Sequence, residues 1–470
     1  MSGLLVTLIL ACHSGSPGDS PPPGAVALSF QHATLISPGA NPIPNATVTV
    51  DQGRIVCAGT ATSCPRPSGS RDVDLTGTWL GPGLIDAHVH YSQTGWVDGR
   101  PDAVDLRARY PYDSVIRALE AHPERFHRAD LCSGVTSVFD VGGYSWTYQL
   151  ARQTRNAGDA PRVVAAGPLL ATIKVDSQMV GQFDFMQDDS TVRAAVRAHH
   201  AAGAEAIKVW YIDVPDSLHA WAKAMLFAAA DEARKAGLPL IVHATELPNA
   251  KEAVLAGAKV LVHNVDTGTI DAEFLQAVKR TGTIVIPTLT VLEGYPDVAM
   301  GRSPGLRYPL DCVDPATRRK LETVLPDSLT RGGREFWNGP VGRGLMTTSM
   351  DNLGRLYRAG ISIAMGTDAG NPGTAHGPSV YREMELMQRA GMPAAAVFAS
   401  ATIGAARAMG LEADVGSVER GKRADLAAFD ADPTRDIANA RRVRFVVRNG
   451  VLYSREELLP QPTDSARSPG

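Results

Sequence analysis

The chain has 470 residues, a formal net charge of −3 and 44% hydrophobic residues. This length exceeds what one small domain holds and fits a large domain with a smaller companion. The near-neutral charge, without a basic stripe carrying aromatic residues, gives no support for a nucleic-acid partner and leaves a small-molecule substrate as the expected partner.

The N-terminal segment 1–24 predicts an exported protein. Residues 4–11 read LLVTLILA, which suits the apolar region of a signal peptide and falls short of the roughly 20 residues of a membrane span. Cys12 follows, and ILAC resembles a bacterial lipobox with a lipidated cysteine. The next stretch, SGSPGDSPPPG, predicts a flexible tether. We expect a lipoprotein of the periplasm or outer membrane, joined to the membrane only through Cys12; an incidental cysteine after a misassigned start codon is the alternative.

The remaining cysteines bear on the same compartment. If Cys12 carries the lipid, Cys57, Cys64, Cys132 and Cys312 remain in an oxidising environment. Cys57 and Cys64 are close enough in sequence to pair across a hairpin, but spacing alone does not establish the bond. The sequence contains no CxxC pattern, so we assign no metal ion to sulfur.

Two regions at opposite ends of the chain have the pattern of a small β domain. Residues 25–79 contain ALSFQHATLI, ATVTVDQGRIVCAG and DVDLTGTWL, which predict short antiparallel strands because apolar positions alternate between turn residues. Residues 405–458 contain DLAAFDAD and VRFVVRNGVLYS, with the same pattern. We expect one composite β-sandwich built from both segments and a disordered tail over 459–470.

Between these segments, residues 80–404 alternate strands with helices. Strands are predicted at LIDAHVH, TSVFDV, RVVAAG, EAIKVW, PLIVHA, KVLVHN, TIVIPT and ISIAMGTD. Eight strand–helix repeats predict a closed parallel (β/α)8 TIM-type barrel, so the fold class is α/β. Segment 292–346, rich in Gly, Pro and Arg, predicts an insertion or lid after the seventh strand.

Chemically active side chains stand at the ends of five predicted barrel strands. In such a barrel the catalytic groups lie at the carboxyl ends of the strands. Residues two apart on a strand face the same side, so the first two histidines both point into the barrel mouth. Packing does not explain this set, because burying unpaired polar groups is costly. The set comprises His88, His90, Lys208, His243, His263 and Asp368.

These six residues, called the rim set below, predict a site for divalent metal ions. Imidazole and carboxylate groups suit Zn²⁺ and similar ions. As an ammonium, Lys208 fits poorly, because two cations beside it would repel it. Reaction of its amine with CO₂ would give a carbamate, N6-carboxylysine, whose two oxygens can bridge two metal ions.

Taken together, the motifs resemble the amidohydrolase superfamily. PGLIDAHVH, the lysine of the fourth strand, the two later histidines, GTDAG and GSVERGKRADLAAFDADP match its pattern in order, from about residue 27 to 455. GVTSVFDVGG, AVLAGAKVLVH and TDAGNPGTAHG are more similar to the Xaa-Pro dipeptidase and imidazolonepropionase-like branch than to the urease or dihydroorotase branches.

The resemblance implies a cofactor of two divalent ions, which we expect to be Zn²⁺. His88, His90 and Asp368 would hold the more buried ion. His243 and His263 would hold the more exposed ion, and the carboxylated lysine of the fourth strand would bridge the two.

The resemblance also implies catalytic roles for Asp368 and Lys208. A hydroxide between the two ions would attack a substrate carbonyl, because the ions lower the pKa of bound water. Asp368 would take the proton and pass it to the leaving group. Barrels of this family often self-associate, so a homo-oligomer is among the expectations.

Three further residues are candidates for binding substrate. Tyr211 follows the fourth strand and has a hydroxyl that suits a substrate carboxylate or carbonyl; packing on a loop is equally consistent. His376, in GTAHGPS, follows Asp368 closely and either lines the site or caps a helix. Tyr144, after the second strand, either forms an apolar wall or anchors a loop.

One motif keeps a second reaction open. The stretch from His243 to Glu246 spells HxxE, and in related aminohydrolases a glutamate at that spacing moves protons during deamination at a single metal ion. Those deaminases lack the lysine found here as Lys208, which favours a binuclear hydrolase of an amide-like C–N bond in a dipeptide or N-acyl amino acid. Hydrolysis of a lactone, carbamate or phosphotriester, deamination through Glu246, and an inactive lipid-anchored binding protein remain the alternatives.

Overall fold

A computed structural model describes residues 26–175, 179 and 181–461. The expected leader over 1–24, with the lipid site at Cys12, lies outside the described residues, as does residue 462 onward of the expected tail. Within the described ranges, no helix combines the length and the apolar character needed to cross a membrane.

Strands cluster at both ends of the described chain and alternate with helices between them. The strands are β1 (Leu28–Leu35), β2 (Ile43–Asp51), β3 (Arg54–Thr60), β4 (Arg71–Asp74), β5 (Trp79–Pro82), β6 (Leu84–Val89), β7 (Val135–Asp140), β8 (Arg162–Ala165), β9 (Leu169–Ala171), β10 (Phe183–Phe185), β11 (Ile207–Trp210), β12 (Leu240–His243), β13 (Val260–Val262), β14 (Ile284–Ile286), β15 (Leu426–Phe429), β16 (Val443–Arg448) and β17 (Val451–Ser454). The helices are α1 (Tyr112–Ala121), α2 (Glu124–Cys132), α3 (Thr147–Thr154), α4 (Asp189–Ala202), α5 (Asp216–Lys235), α6 (Leu247–Ala256), α7 (Ala272–Thr281), α8 (Val291–Ala299), α9 (Pro315–Leu321), α10 (Asp327–Asn338), α11 (Pro340–Arg358), α12 (Ser379–Arg389), α13 (Ala394–Ala399), α14 (Ala405–Ala408) and α15 (Arg455–Leu458).

The two chain ends build one small β domain, as the sequence predicted. β1–β5 and β15–β17 form a hydrogen-bonded sheet in the order β17-β16-β15-β5-β1-β2-β3, with β4 also paired to β1. The first half of β1 pairs with β4 and its last two residues pair with β5, so the sheet branches at β1. Antiparallel pairing of β15 with β5 joins the C-terminal segment to the N-terminal one.

A buried arginine ties this sheet to the barrel. Arg448, at the end of β16, is 0% exposed. Its Nε donates to the carbonyl of Ala160 at 2.9 Å and its Nη2 to the carbonyl of Thr154 at 2.9 Å, both beside α3. Its charge is balanced by buried Asp425, whose Oδ1 lies 3.1 Å from Nη1. A buried guanidinium needs this full set of acceptors, because an unpaired charge there would be very costly.

The middle of the chain forms the predicted barrel. β6, β7 and β8 make one parallel sheet, and β9 to β14 make a second in the order β10-β9-β11-β12-β13-β14. The third barrel strand is divided into β8 in the first sheet and β9 in the second. The backbone N–H of Glu205, just before β11, donates to Ala165 O of β8 at 3.0 Å and so joins the two sheets. The prediction of a (β/α)8 barrel is therefore confirmed.

The eighth barrel strand, residues 361–369, is irregular, which the apolar run did not predict. It closes the barrel through single bridges from Ile363 to Val285 and from Ala369 to Val89. Asp368 N donates to His88 O at 2.8 Å. Asp368 has a φ of 63°, a left-handed conformation that interrupts the strand at the rim. Closure of the barrel thus brings Asp368 beside the first strand.

The segment predicted as an insertion or lid is helical. It contains α8, α9, α10 and the start of α11, between β14 and the eighth strand. Apolar residues of this segment, among them Tyr308 and Leu310, pack with Trp96 and Val97 from the loop after β6. A disulfide joins Cys312 in this segment to Cys132 at the end of α2. Cys57 and Cys64 form a second disulfide, as their spacing allowed. No spacing rule indicated the bond between Cys132 and Cys312.

Replacing Cys132 and Cys312 together with alanine is expected to lower the free energy of unfolding by about 2–4 kcal/mol. The bond joins residues 180 apart and so restricts the unfolded chain strongly. Urea denaturation with and without reductant measures the loss. As a control, the Cys57→Ala/Cys64→Ala variant opens a bond between residues 7 apart and should cost less; the opposite order would contradict this account.

Candidate active site

A cavity of about 370 Å³ lies at the carboxyl ends of the barrel strands, and every member of the rim set lines it. The members of the rim set come from β6 and the residue after it, from β11 and β12, from the residue after β13, and from the eighth strand. The barrel therefore brings together side chains that are far apart in sequence. Aromatic and apolar residues form much of the remaining wall: Leu169, Phe183, Trp210, Val291, Leu292, Tyr295, Phe336, Trp337 and Leu345.

Three members of the rim set form a compact group that fits a metal ion. His88 Nε2 and His90 Nε2 lie 3.2 and 2.9 Å from Asp368 Oδ1, and one ligand atom from each residue lies within 4.8 Å of the others. Asp368 Oδ1 is buried without a hydrogen bond in the described part of the chain. Two imidazole nitrogens and an unsatisfied carboxylate oxygen at this separation are a donor set that suits Zn²⁺ or a similar ion.

Two candidate ligands have strained backbones. His263 has a φ of 69° and Asp368 a φ of 63°, a region that costs non-glycine residues about 1–3 kcal/mol. Each is held by a backbone hydrogen bond to the neighbouring strand, His263 N to Ile286 O at 2.8 Å and Asp368 N to His88 O at 2.8 Å. The surrounding barrel thus imposes these conformations at the rim.

A buried carboxylate supports the compact group from below. Asp86 is 1% exposed and accepts hydrogen bonds from Thr367 N at 2.9 Å, Thr367 Oγ1 at 2.6 Å and His88 N at 3.2 Å. Burial raises the pKa of Asp86 to about 7 despite these donors. Asp86 therefore joins the first and eighth strands directly beneath His88 and Asp368.

Hydrogen bonds on the far side of two imidazoles set their orientation. His90 Nδ1 donates to Gly142 O at 2.6 Å, which leaves Nε2 unprotonated in the neutral ring and facing Asp368. His263 Nδ1 contacts Thr288 Oγ1 at 2.6 Å. Asp140 acts one step further away: its carboxylate accepts from Gly142 N at 3.2 Å and so fixes the loop that contacts His90. Such outer contacts orient metal-binding histidines.

Burial favours the neutral form of His88 and His243, which metal ligation requires. It lowers the pKa of His88 to about 4 and that of His243 to about 3. The rings of His243 and His263 lie 4.4 Å apart, and those of His88 and His263 lie 5.0 Å apart. The second pair of histidines therefore adjoins the compact group within the same cavity.

Lys208 is the unusual member of the rim set. It is 2% exposed, and within the described ranges its amine makes neither an ion pair nor a hydrogen bond. Burial lowers its pKa to about 7, although Asp368 opposes this shift. An unpaired ammonium in such a place is costly, so the site favours an uncharged or chemically converted amine.

The structure places Tyr211 outside the cavity lining. The side chain is 1% exposed, and its hydroxyl donates to Glu252 Oε2 at 2.5 Å. Lys208 and Trp210 line the cavity instead, because alternate residues of a strand share one face. Tyr211, the residue next to Trp210, consequently points towards α6.

His376 and Tyr144 also lie outside the cavity lining. His376 is buried behind the compact group, where its ring stacks on Phe126 at 4.0 Å and Nε2 contacts His90 O at 3.2 Å. Tyr144 is half-buried and packs near Gly181, with its side chain hydrogen-bonded to Tyr112. Both residues are therefore neighbours of the site and make no direct contribution to its wall.

Several cavity residues escaped the sequence reasoning because they lie on loops. Arg100 lines the cavity, with Nε and Nη2 donating to Asp102 at 2.8 and 2.7 Å. Arg100 Nη1 and the hydroxyl of Tyr295 both donate to Asn371 Oδ1. Arg100 and Asn371 come from loops after the first and eighth strands and Tyr295 from α8, after the seventh strand, and no sequence pattern indicated that these segments would meet.

Glu246 lies near the cavity without lining it. Its Oε1 accepts from Thr245 Oγ1 at 3.2 Å, and its Oε2 is buried with no hydrogen bond among the described residues. Thr245 and Asp266 line the cavity, whereas Glu246 does not. The backbone N–H of Asp266 donates to Thr245 O at 3.1 Å, which joins the two loops.

A (β/α)8 barrel with a metal-site-like group at the carboxyl ends of its strands is the architecture of a metal-dependent hydrolase. Comparison with known families agrees: residues 79–453 match the model of the Amidohydrolase family. The chain belongs to the amidohydrolase family, and the family predicted from the motifs is confirmed.

Curated relatives and solved structures give the same picture. The chain is 27% identical over 430 residues to an imidazolonepropionase of Rhizorhabdus wittichii, covering 85% of this chain and 92% of that protein. A Xaa-Pro dipeptidase structure with methionine bound in its active site has a TM-score of 0.69 and 24% identity, covering 91% of this chain and 100% of that one. A molinate hydrolase structure has a TM-score of 0.70 and 22% identity, covering 95% and 98%.

Thr367→Val is expected to weaken metal binding by about 10- to 100-fold, because the hydroxyl holds Asp86 beneath the compact group. Competition with a chromophoric zinc chelator measures the change. Thr283→Val is the control: it removes a similar buried hydrogen bond, from Thr283 Oγ1 to Ala258 O at 2.8 Å, at the opposite end of the barrel. Equal effects from the two variants would show that Thr367 acts only on general stability.

Proposed function

We propose that this protein is a binuclear metal-dependent hydrolase that cleaves an amide-like C–N bond in a dipeptide or an N-acyl amino acid. The observation that carries the proposal is the convergence of all six rim-set residues on one cavity, with an unpaired, buried lysine among them. Four imidazoles and one carboxylate exceed what a single tetrahedral ion needs from the protein.

The rim set divides into two groups of ligands. His88, His90 and Asp368 would hold one ion, and His243 and His263 would hold the other. We expect both ions to be Zn²⁺, which would supply Lewis-acid activation of water and of the scissile carbonyl. The lysine between the groups would link them as its carbamate.

Carbamate formation at Lys208 resolves the conflict between a cationic side chain and neighbouring cations. The uncharged amine attacks CO₂, an N–C bond forms and one proton is released, so that a neutral group becomes an anion of charge −1. The anion has two oxygens that accept from or bind to cations on both sides. Its negative charge also offsets the positive charge of the ions, which makes burial less costly.

Asp368 is the residue placed to move the reacting proton. With a metal ion bound, the positive charge beside Asp368 would keep its carboxylate ionised, because an opposite charge nearby favours the charged form. The carboxylate is therefore ionised and able to accept a proton from the attacking water. It then returns that proton to the nitrogen of the leaving group as the C–N bond breaks.

Arg100 supports a leaving group that carries a carboxylate. The residue lines the cavity on the side of the eighth strand, and beyond its hydrogen bonds to Asp102, Asn371 and Tyr295 the guanidinium has a further N–H donor for a carboxylate. Leaving groups of dipeptides and N-acyl amino acids share this carboxylate. The motif resemblance to the Xaa-Pro dipeptidase branch supports the same class of substrate.

We further propose that the protein is exported and anchored by a lipid on Cys12. The leader sequence supports this proposal, and so do the two disulfides, since such bonds persist mainly in oxidising compartments. The flexible tether predicted after Cys12 would separate the barrel from the membrane surface.

Protein purified with zinc and bicarbonate is expected to contain two metal ions per chain, and Lys208→Ala should reduce this number and abolish turnover. Elemental analysis measures the metal. Growth or incubation with ¹³C-bicarbonate should give a carbamate carbon signal in NMR spectra that Lys208→Ala lacks. Lys259→Ala removes an exposed lysine away from the cavity and serves as the control.

One metal ion per chain, unchanged in Lys208→Ala and accompanied by ammonia release from the substrate, would overturn this mechanism. It would favour deamination through Glu246 at a single ion. Cleavage of lactones or phosphotriesters without any C–N hydrolysis would retain the metal centre and reject the substrate class.

Arg100→Met is expected to lower kcat/KM by about 10- to 100-fold for substrates with a free C-terminal carboxylate, because a charge-assisted hydrogen bond to the substrate is lost. The same peptides as C-terminal amides are the matched control and should be affected much less. Steady-state kinetics on both forms measures the difference. A loss of equal size on both forms would assign Arg100 to loop structure through Asp102 and Asn371.

A further inference from the structure

A second, smaller cavity lies between the segment that follows β6 and the helical insertion, and its lining is basic. Its volume is about 100 Å³, which admits a small ion and excludes a peptide or a nucleotide. Within the described ranges it shares no lining residue with the active-site cavity, and no carboxylate lines it. It is called the basic cavity below, after three cationic side chains that line it together with three Ser or Thr hydroxyls: Arg109, Arg125, Lys320, Thr94, Ser114 and Thr317.

Arg125, in α2, has a guanidinium without an acceptor. The residue is half-buried, its Nε is buried, and it forms neither a hydrogen bond nor an ion pair with the described residues. Its guanidinium carbon lies 5.0 Å from the ring centre of Phe126. Burial lowers the pKa of this group, because the charged form loses hydration. Since buried donors are nearly always paired, we expect the missing acceptor to come from outside the chain.

Three carboxylates act on Arg125 only through charge at longer range, and they are engaged elsewhere or exposed. Asp98 Oδ2 lies 2.8 Å from Lys320 Nζ. Asp314 caps α9, and its Oδ1 accepts from two backbone N–H groups of that helix at 3.1 and 3.0 Å. Glu124 is exposed. Because none of these carboxylates forms an ion pair with Arg125, its charge favours an anion over a water molecule as the acceptor.

Arg109 adds a second guanidinium that has no carboxylate partner in the described part of the chain. It is exposed, and its guanidinium carbon lies 5.3 Å from the ring centre of Tyr110. Lys320 Nζ lies 5.1 Å from the centre of the same ring. The ring therefore contacts two cations of the basic cavity, of which Lys320 is the one whose charge Asp98 offsets.

The hydroxyls of the lining add uncharged donors. Ser114 Oγ accepts from Arg117 Nη2 at 3.0 Å, which leaves its own O–H free to donate. The hydroxyl of Thr317, near the start of α9, has no hydrogen bond among the described residues and lines the same space. The donors of the basic cavity thus come from the loop after β6, from α1 and α2, and from α9 of the insertion.

We propose that the basic cavity binds a small inorganic oxyanion, phosphate or sulfate, which links the segment after β6 to the helical insertion. The planar fork of a guanidinium matches two oxygens of such an ion. Four oxygens in a tetrahedral arrangement can accept from several segments at once, whereas a carboxylate has only two oxygens. The inference does not depend on the proposed hydrolase function, because the basic cavity is separate from the rim set.

An anion in this place would add a second link between α2 and the insertion. The disulfide from Cys132 to Cys312 already joins these regions covalently. The segment after β6 and the insertion also carry Arg100 and Tyr295, which line the active-site cavity. The anion would therefore stabilise the packing of two segments that form part of the active-site wall.

Isothermal titration calorimetry with inorganic phosphate tests the proposal, on metal-loaded protein freed of excess zinc and at fixed ionic strength. We expect saturable binding that Arg125→Met weakens by about 10- to 100-fold, because a charge-assisted hydrogen bond from a buried donor is lost. Acetate and chloride should bind at least about 10-fold more weakly than phosphate, since they offer fewer oxygens or none to the guanidinium forks. Hydrogen exchange gives a second readout: phosphate should slow exchange in α9 of the unmodified protein and not in Arg125→Met.

Arg319→Met is the matched control, because it removes the same charge from an exposed position of α9 outside the cavity lining. It should leave phosphate binding unchanged. If Arg125→Met fails to fold, as judged by circular dichroism, Arg109→Met supplies the second variant. It changes an exposed residue and should also weaken phosphate binding, by a smaller factor.

Phosphate also binds to metal ions, and the variants separate that site from the basic cavity. Phosphate binding that is unchanged in both Arg125→Met and Arg109→Met would place the ion at the metal centre or at Arg100 and overturn the proposal. An equal loss in Arg319→Met would reduce the effect to net charge, with the same consequence. Tighter binding of glycerol phosphate than of inorganic phosphate would reject a free ion as the ligand, and the absence of saturable binding would reject the site.

Discussion

The site depends on one buried contact, that of Asp86 with Thr367. Barrel closure at the eighth strand runs through single bridges and backbone hydrogen bonds, and this carboxylate accepts two further hydrogen bonds across that seam, both from Thr367. Asp86 lies two residues before His88, and Thr367 lies one residue before Asp368. Any change in the register of the seam would therefore separate the nitrogen and oxygen ligands that must face each other. The irregularity of the eighth strand and the left-handed backbone of Asp368 are consequences of bringing these ligands together.

The sequence was sufficient to predict the barrel, the composite β domain and the rim set. These features depend on periodicity: apolar runs of strand length recur with helices between them, and parallel strands place their carboxyl ends at one rim. Because strand periodicity assigns a face to every residue, His88 and His90 could be placed in the mouth before the structure was known. The same rule applied to β11 places Trp210, two residues after Lys208, on the cavity face, and places Tyr211 on the opposite face.

The remaining parts of the site depend on contacts between loops, which have no such periodicity. Arg100 and Tyr295 are almost 200 positions apart in sequence, yet both donate to Asn371. Asn264, after β13, donates to the carbonyl of Ser349 on α11 at 2.9 Å, which no pattern in either segment indicated. Likewise, the bond from Cys132 to Cys312 required knowledge of where the helical insertion lies. Such contacts set the polarity of the cavity, which is why the fold and the positions of the rim set were predictable from the sequence and the loop contacts were not.

The buried Arg448 has a consequence for how proteins of this architecture can diverge. Its guanidinium belongs to the C-terminal part of the sheet, but its acceptors include carbonyls beside α3 of the barrel. Removing the sheet would leave those carbonyls without this donor, and removing the barrel would leave the guanidinium paired with Asp425 but without its carbonyl acceptors. The sheet is therefore not an exchangeable module. New specificities in this architecture should arise by change within the loops of the rim, and not by recombination of whole domains.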